Sequence, residues 1–228
     1  FFDFMISNTK GMSRPFLNCF FSISSHHPYN IPEEYQGKFP DGDHPILRSI
    51  SYADHSLGKF LNDASKQDWF SNTLFVITAD HTGPALTDKY SNSIGKYRIP
   101  LLFYMPSEIE PQVRHDVVQQ CDILPSILEL LGHTEPFIAF GTSVFSKVPD
   151  KFVVNFTGDI YQALNDSILL QFNGEEVTGL FRFLEDPMLT RNLKEKAVEH
   201  DRLLLHTKAY LQQYSSSMIN NRLVPADD

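Results

Sequence analysis

The 228-residue chain has only two cysteines, Cys19 and Cys121. That is too few for a disulfide-dense scaffold or an all-cysteine tetrahedral zinc site. Cys19 lies in an apolar run and Cys121 heads a helical pattern, so both are expected as buried thiols. Positive charge is scarce as well: 19 Lys and Arg against 28 Asp and Glu leave a net charge of −9. A protein that tracks nucleic-acid phosphates carries the opposite balance, which argues against nucleic acid as a partner. No apolar run approaches the ~18–20 residues needed to span a bilayer. Gly-rich phosphate loops, Cys-x-x-Cys pairs and a Gly-x-Ser-x-Gly elbow are all missing. The chain opens on Phe1-Phe2-Asp3-Phe4-Met5-Ile6, a helix already under way, without an initiator Met or a signal peptide. It therefore reads as an excised piece of a longer protein.

What is abundant is apolar and aromatic: 42% hydrophobic residues, with 19 Phe. A disordered tail would not carry them, and the length suffices for a real core. Residues 1–10 read as the end of a helix. Pro15 to Ser24 is nearly continuously apolar and reads as a strand buried on both faces. A polar loop with Pro28, Pro32 and Pro40 follows, and loops of that length are often functional. From Pro45 the spacing turns helical through Leu47, Ile50, Leu57, Leu61 and Ala64, with Asp43 as the expected N-cap. Strands are expected at Thr73–Thr78 and Ile99–Tyr104, and a short helix from Asp122 closed by Gly132. This rhythm predicts an α/β fold with a mostly parallel sheet sandwiched by helices. After Pro149 come four short strand patterns, the third and fourth joined by Asn173-Gly174, and then a polar helix over residues 192–220. The division expected is 1–149 for the α/β part and 150–228 for a small antiparallel sheet plus helix.

Chemistry concentrates at two strand ends. Asp-His dipeptides occur three times among the nine histidines' surroundings. Asp54-His55 sits in mid-helix, where neighbours point about 100° apart, and reads as a solvated or packing pair. Asp43-His44 starts a helix. Asp80-His81 instead lies just past the carboxyl end of a strand, where open α/β sheets place their sites. A carboxylate and an imidazole there can hold a divalent metal, though a capped turn is an equally good account of the pair alone. Ser25-His26-His27-Pro28-Tyr29 follows another strand, and an imidazole there can donate to an oxyanion or protonate a leaving oxygen; a Pro-rich turn with exposed histidines is the plainer account. Lys96-Tyr97-Arg98 could add a cation, or be a solvated strand entrance.

In this order the segments resemble the sulfatase/alkaline-phosphatase superfamily, specifically its lipoteichoic-acid-synthase-like branch. The resemblance rests on Pro15–Leu17 with Ser24–Tyr29 as a His-x-Pro strand end, and on Thr73–Gly83 as a metal-binding strand end. It extends through Tyr97–Pro106, Asp122–Leu128 and Gly179–Leu193, the last like the C-terminal leaflet of many sulfatases. It implies an alkaline-phosphatase-like fold, Asp80 and His81 as metal ligands, and His26 as the catalytic, substrate-contacting histidine, with His27 at the variable position. The implied cofactor is a divalent ion (Mn, Zn, Mg or Ca). The implied substrate is a phosphate or sulfate ester, such as a lipid head group or a glycan, cleaved or transferred in the manner of phosphoglycerol and phosphoethanolamine transferases. A secreted true sulfatase and a catalytically dead binding domain are the alternatives. The family's nucleophile and first metal carboxylate lie upstream of the His-x-Pro motif, and only 25 residues precede His26. The expectation is thus an inactive half-site whose partner is the missing N-terminal half, or a second copy of itself. The full-length protein is expected outside the cytoplasm, held by a membrane anchor that this chain does not include.

Overall fold

The computed structural model describes residues 1–225, with only the backbone described for 197–199. The chain parts into two compact units, Phe1–Pro111 and Gln112–Asp228.

In the first unit, α1 (Phe2–Thr9) packs on α2 (Pro45–Ala64). Their seam is an aromatic core of Ile6, Phe60, Ala64 and Trp69, joined by Phe2, Phe16 and Phe75. His44, not Asp43, caps α2: its Nδ1 accepts from the Ile46 N–H at 3.2 Å, and Pro45 takes the first helical position. Proline there gives up an N–H that would have had no helical partner, so it fixes the cap one residue before itself. Of the apolar stripe read from the sequence, Leu47 and Ile50 stay exposed, while Ile46 and Ser49 turn inward. The Pro-rich loop is tied back onto α2 by rings: Tyr35 lies 5.0 Å from Tyr52 and 5.6 Å from His55, and Phe39 lies 5.6 Å from His55. His55 is thus a packing residue.

Two strands of this unit form a sheet, β1 (Phe75–Thr78) and β2 (Leu101–Tyr104). They pair antiparallel, Phe75 opposite Tyr104 and Thr78 opposite Leu101, where the rhythm of the sequence suggested parallel neighbours. Parallel pairing needs a crossover, usually a helix, to carry the chain back to the starting end. Residues 79–100 provide only a single turn, α3 (Asp88–Ser91), and a short 3-10 segment, so the chain returns alongside itself. The expected strand at 15–24 pairs with no other strand among the described residues. It is extended with alternating burial: Phe16, Asn18 and Phe20 are half-buried, whereas Leu17, Cys19, Phe21 and Ile23 are exposed. Both Cys19 and Cys121 are exposed thiols, correcting the expectation of burial. An alternating ribbon buries one side only, and Cys19 falls on the other.

The second unit holds α4 (Ile123–Leu130) and an antiparallel sheet in the order β3 (Val153–Thr157), β4 (Ile160–Leu164), β5 (Ile168–Phe172), β6 (Val177–Arg182). Its turns follow the local chemistry. Gly158 and Asp159 both have positive φ, at 54° and 63°, in the two-residue β3–β4 turn. Asn165 Oδ1 accepts from the Ser167 and Ile168 N–H groups at the β4–β5 turn. The helix α5 (Asp201–Ile219) lies on β4 and β5, closing a core of Ala163, Ile168, Leu170, Phe172, Leu180 and Leu203. Its α-helical part begins later than the sequence pattern, because residues 194–200 form a 3-10 segment. Residues 112–149 belong with this sheet, joined by Val154 N–H donating to Gln119 Oε1 at 3.1 Å and Lys151 Nζ to the Ser143 carbonyl at 3.0 Å.

Candidate active site

Asp80 and His81 follow β1 directly, so the strand's pairing with β2 fixes where they emerge. Thr78 Oγ1 donates to the Pro100 carbonyl at 2.9 Å and ties the strand end to the start of β2. Asp80 Oδ1 accepts from the His81 N–H at 2.9 Å, which folds the carboxylate back toward its neighbour's ring. Asp80 Oδ2 and His81 Nε2 then stand 3.4 Å apart, on side chains that are 53% and 76% exposed and so open to a ligand.

The tautomer of His81 can be argued from its other nitrogen. Nδ1 lies 2.8 Å from the Thr82 carbonyl oxygen, which can only accept, so Nδ1 carries the proton. In the neutral ring Nε2 is then the lone-pair nitrogen, and it faces a carboxylate oxygen, so a cation or a proton between the two would satisfy both. A metal-bound histidine needs this arrangement, with its second nitrogen donating to a backbone carbonyl. Thr82 is itself held, its Oγ1 donating to the Lys96 carbonyl at 2.6 Å. Asp80 and His81 therefore fit a divalent cation as two of its donors. Among the described residues no group of three or more His, Cys, Asp and Glu side chains is gathered to hold a metal.

His26 sits in a tight turn, its N–H bonded to the Ile23 carbonyl at 3.0 Å and its carbonyl accepting from the Tyr29 N–H at 2.8 Å. Nδ1 lies 2.8 Å from the His27 carbonyl oxygen, so here too Nδ1 donates, which leaves Nε2 as the lone-pair nitrogen of the neutral ring. His27 packs edge-on against Tyr29, centroids 5.7 Å apart. Tyr29 in turn packs against His44 at 5.4 Å, the cap of α2. The other loop reaches the same helix end, because a Cβ on Gly83 would overlap Ile46 Cδ1. The first turn of α2 is the shared footing of the two candidate loops. Sequence reading passed over His44 in this role, although Pro45 at the first helical position was the available signal. The Lys96 ammonium lies 5.5 Å from the Tyr97 ring centroid, while its backbone carries the Thr82 bond.

The family model for sulfatases matches residues 1–133, which include both loops and α2. The chain belongs to the sulfatase family. Lipoteichoic acid synthase of Staphylococcus aureus is 25% identical over 191 residues, 73% of this chain and 29% of that protein. The chain thus spans less than a third of the curated relatives it matches. A solved alkaline phosphatase superfamily protein from Vibrio parahaemolyticus superposes with a TM-score of 0.80 at 21% identity, covering 98% of this chain and 54% of that one. The lipoteichoic acid synthase LtaP from Listeria monocytogenes gives 0.69 at 21% identity, covering 91% and 54%. The fold is that of the alkaline phosphatase superfamily, as the sequence led us to expect.

Proposed function

We propose that the chain is the C-terminal part of the catalytic domain of a metal-dependent enzyme that cleaves or transfers phosphate esters, in the manner of the lipoteichoic acid synthases it resembles. Asp80 Oδ2 and His81 Nε2 would hold the divalent ion, and His26 Nε2 would contact the ester. The observation that carries this reading is the Asp80–His81 pair at 3.4 Å, with the imidazole proton drawn to the Thr82 carbonyl. Such an ion polarises ester oxygens and activates a nucleophile. The chain's own residues orient the pair and supply an imidazole able to exchange a proton with substrate oxygen. The remaining ligands and the nucleophile are assigned to the rest of the full-length protein, and its side of the membrane to the cell exterior. No helix among the described residues is long and apolar enough to cross a membrane.

The test uses the full-length enzyme, with metal content and turnover of phosphate-ester and sulfate-ester substrates measured side by side. Asp80→Ala and His81→Ala should abolish turnover and lower bound metal, whereas His26→Ala should lower turnover with metal nearly intact. Equal metal loss in all three variants would make His26 a ligand. Full activity in Asp80→Ala would remove the catalytic reading, and turnover of sulfate esters alone would move the enzyme to the true sulfatases.

A further inference from the structure

His44 is half-buried at the start of α2 and meets two neighbours with two different parts of its ring. Nδ1 accepts from the Ile46 N–H at 3.2 Å, so the proton of the neutral imidazole is on Nε2. Neutral His26 is the opposite tautomer, since its Nδ1 donates to a carbonyl. The face of the His44 ring is used separately. It stands against Tyr29, centroids 5.4 Å apart and planes at 72°, an edge-to-face contact.

Tyr29 requires such a contact. Its φ is +64°, a left-handed backbone that tyrosine adopts only at a cost, so packing has to hold it there. His27 also packs on it at 5.7 Å but is itself exposed, which leaves half-buried His44 as the firmer wall. The Tyr29 N–H donates to the His26 carbonyl at 2.8 Å and closes the turn that carries the His26 imidazole. One backbone bond thus links His26 to a ring seated on α2. The rest of the loop grips the same helix independently. Arg48 Nη1 donates to Asp41 at 3.1 Å, and Tyr35 lies 5.0 Å from Tyr52. Removing the His44 ring should therefore free the turn at 26–29 and leave the loop attached. Nδ1 acts on the other side. By capping α2 it fixes the backbone of Ile46, whose Cδ1 a Cβ on Gly83 would overlap, two residues past His81.

We propose that His44 is the positioning residue of both candidate loops, with its two parts divided between them. Its ring seats Tyr29 and so holds the His26 imidazole in one orientation. Its Nδ1 seats Ile46 against Gly83 and so holds the Asp80–His81 loop. That the held side chains meet an ester and a metal rests on the function proposed above; the seating itself does not.

The test is nitrogen NMR of the whole 228-residue chain with isotope-labelled histidines, at about pH 8, where ordinary imidazoles are neutral. Spectra of His26→Gln, His44→Gln and His81→Gln supply the assignments. In the parent the two ring nitrogens of His26 should differ widely in shift, as a single tautomer with Nδ1 protonated requires, and those of His44 in the reverse order. His44→Asn puts an acceptor where Nδ1 stood and removes the ring, so it keeps the cap. The two His26 nitrogens should then draw together as tautomers average, with His81 unchanged. Tyr29→Leu should do the same, and Tyr29→Phe, which keeps the ring, should change neither histidine. His44→Phe keeps a ring and loses the acceptor, so it should spare His26 and shift His81. His26 unmoved by both His44→Asn and Tyr29→Leu would refute the seating. A response to Tyr29→Phe would put the hydroxyl in place of the ring and overturn it as well. His81 shifting in His44→Asn, or staying put in a folded His44→Phe, would refute the division between ring and nitrogen. In the full-length enzyme His44→Asn should lower kcat roughly tenfold or more at unchanged KM and bound metal. Full kcat in a His44→Asn variant whose His26 nitrogens have averaged would count against the catalytic role proposed for His26, not against the seating.

Discussion

Asp122 is only 6% exposed, yet its carboxylate organises the entry to α4. Oδ2 accepts from the Gln119 N–H at 2.9 Å and Oδ1 from the Thr142 N–H at 2.7 Å. Nearby, Ser126 Oγ donates to the Asp122 carbonyl and accepts from the Val144 N–H, so residues 141–144 are drawn against the helix. Burial lifts the Asp122 carboxyl above the ordinary carboxylate range, and the two N–H groups offset only part of that rise. With the folded value raised, this group's contribution is full below its unfolded pKa and is lost as pH rises through the folded one. Asp122→Asn keeps one acceptor and orphans an N–H, so it should cost about 1–3 kcal/mol at neutral pH. Denaturation of both proteins from pH 7 down toward the carboxylate range isolates the titration: the wild type should gain relative to the variant as pH falls. A constant or shrinking gap would refute the assignment. From sequence Asp122 was readable as a helix start, but Thr142 was not readable as its partner, since nothing local marks a contact 20 residues away. His81 shows the same limit in reverse. Its place at a strand end was legible, while the proton on Nδ1 became arguable only once the Thr82 carbonyl stood 2.8 Å away.

At the scale of elements, legibility followed the locality of the forces. The strands β4 and β5 begin and end where the apolar runs do, because Gly-Asp, Asn-Asp and Asn-Gly turns between them encode their own geometry. Asn173 Oδ1 accepts from the Glu175 and Glu176 N–H groups at 2.9 and 2.8 Å, and Gly174 holds φ at +102°. A Cβ at Gly174 would meet no neighbour, so the penalty for Gly174→Ala should come from backbone strain alone. We expect a loss of about 1–3 kcal/mol in chemical denaturation, with no change in the exposure of β5 and β6 amides once folded. A variant as stable as the parent would show that the turn relaxes to another type. The direction of β1–β2 pairing was not legible for a different reason. Strand patterns report burial, and pairing direction depends on how the intervening residues return the chain. Likewise the run at 15–24 has a strand's composition, but pairing requires a neighbouring strand, which composition cannot supply.

For the molecule as a whole, that ribbon decides what the polypeptide should do alone. Leu17, Phe21 and Ile23 are 89%, 65% and 74% exposed along one side of an extended segment, a combination of open backbone and apolar side chains that invites pairing. Their other-side neighbours Phe16 and Phe20 are half-buried, Phe16 on the α1–α2 core and Phe20 stacked with Phe2 at 4.8 Å, so the ribbon is anchored and its open side is presented. The two units each close a core of their own, so the chain should fold. On the function proposed above it should not turn over, because Asp80 and His81 would supply two donors where a catalytic metal commonly has three protein ligands, and covalent catalysis needs a nucleophile against the metal. Purified protein should therefore melt cooperatively, bind a hydrophobic dye or associate at rising concentration, and leave nitrophenyl phosphate, its diesters and nitrophenyl sulfate intact with Mn²⁺, Zn²⁺ or Mg²⁺. Leu17→Lys/Ile23→Lys should suppress association without lowering the melting temperature, since neither side chain is buried. A monomer that ignores the dye would mean the ribbon folds over in solution. Metal-dependent turnover that Asp80→Ala abolishes would mean that a nucleophile stands within residues 1–228, and that the half-site is a complete one.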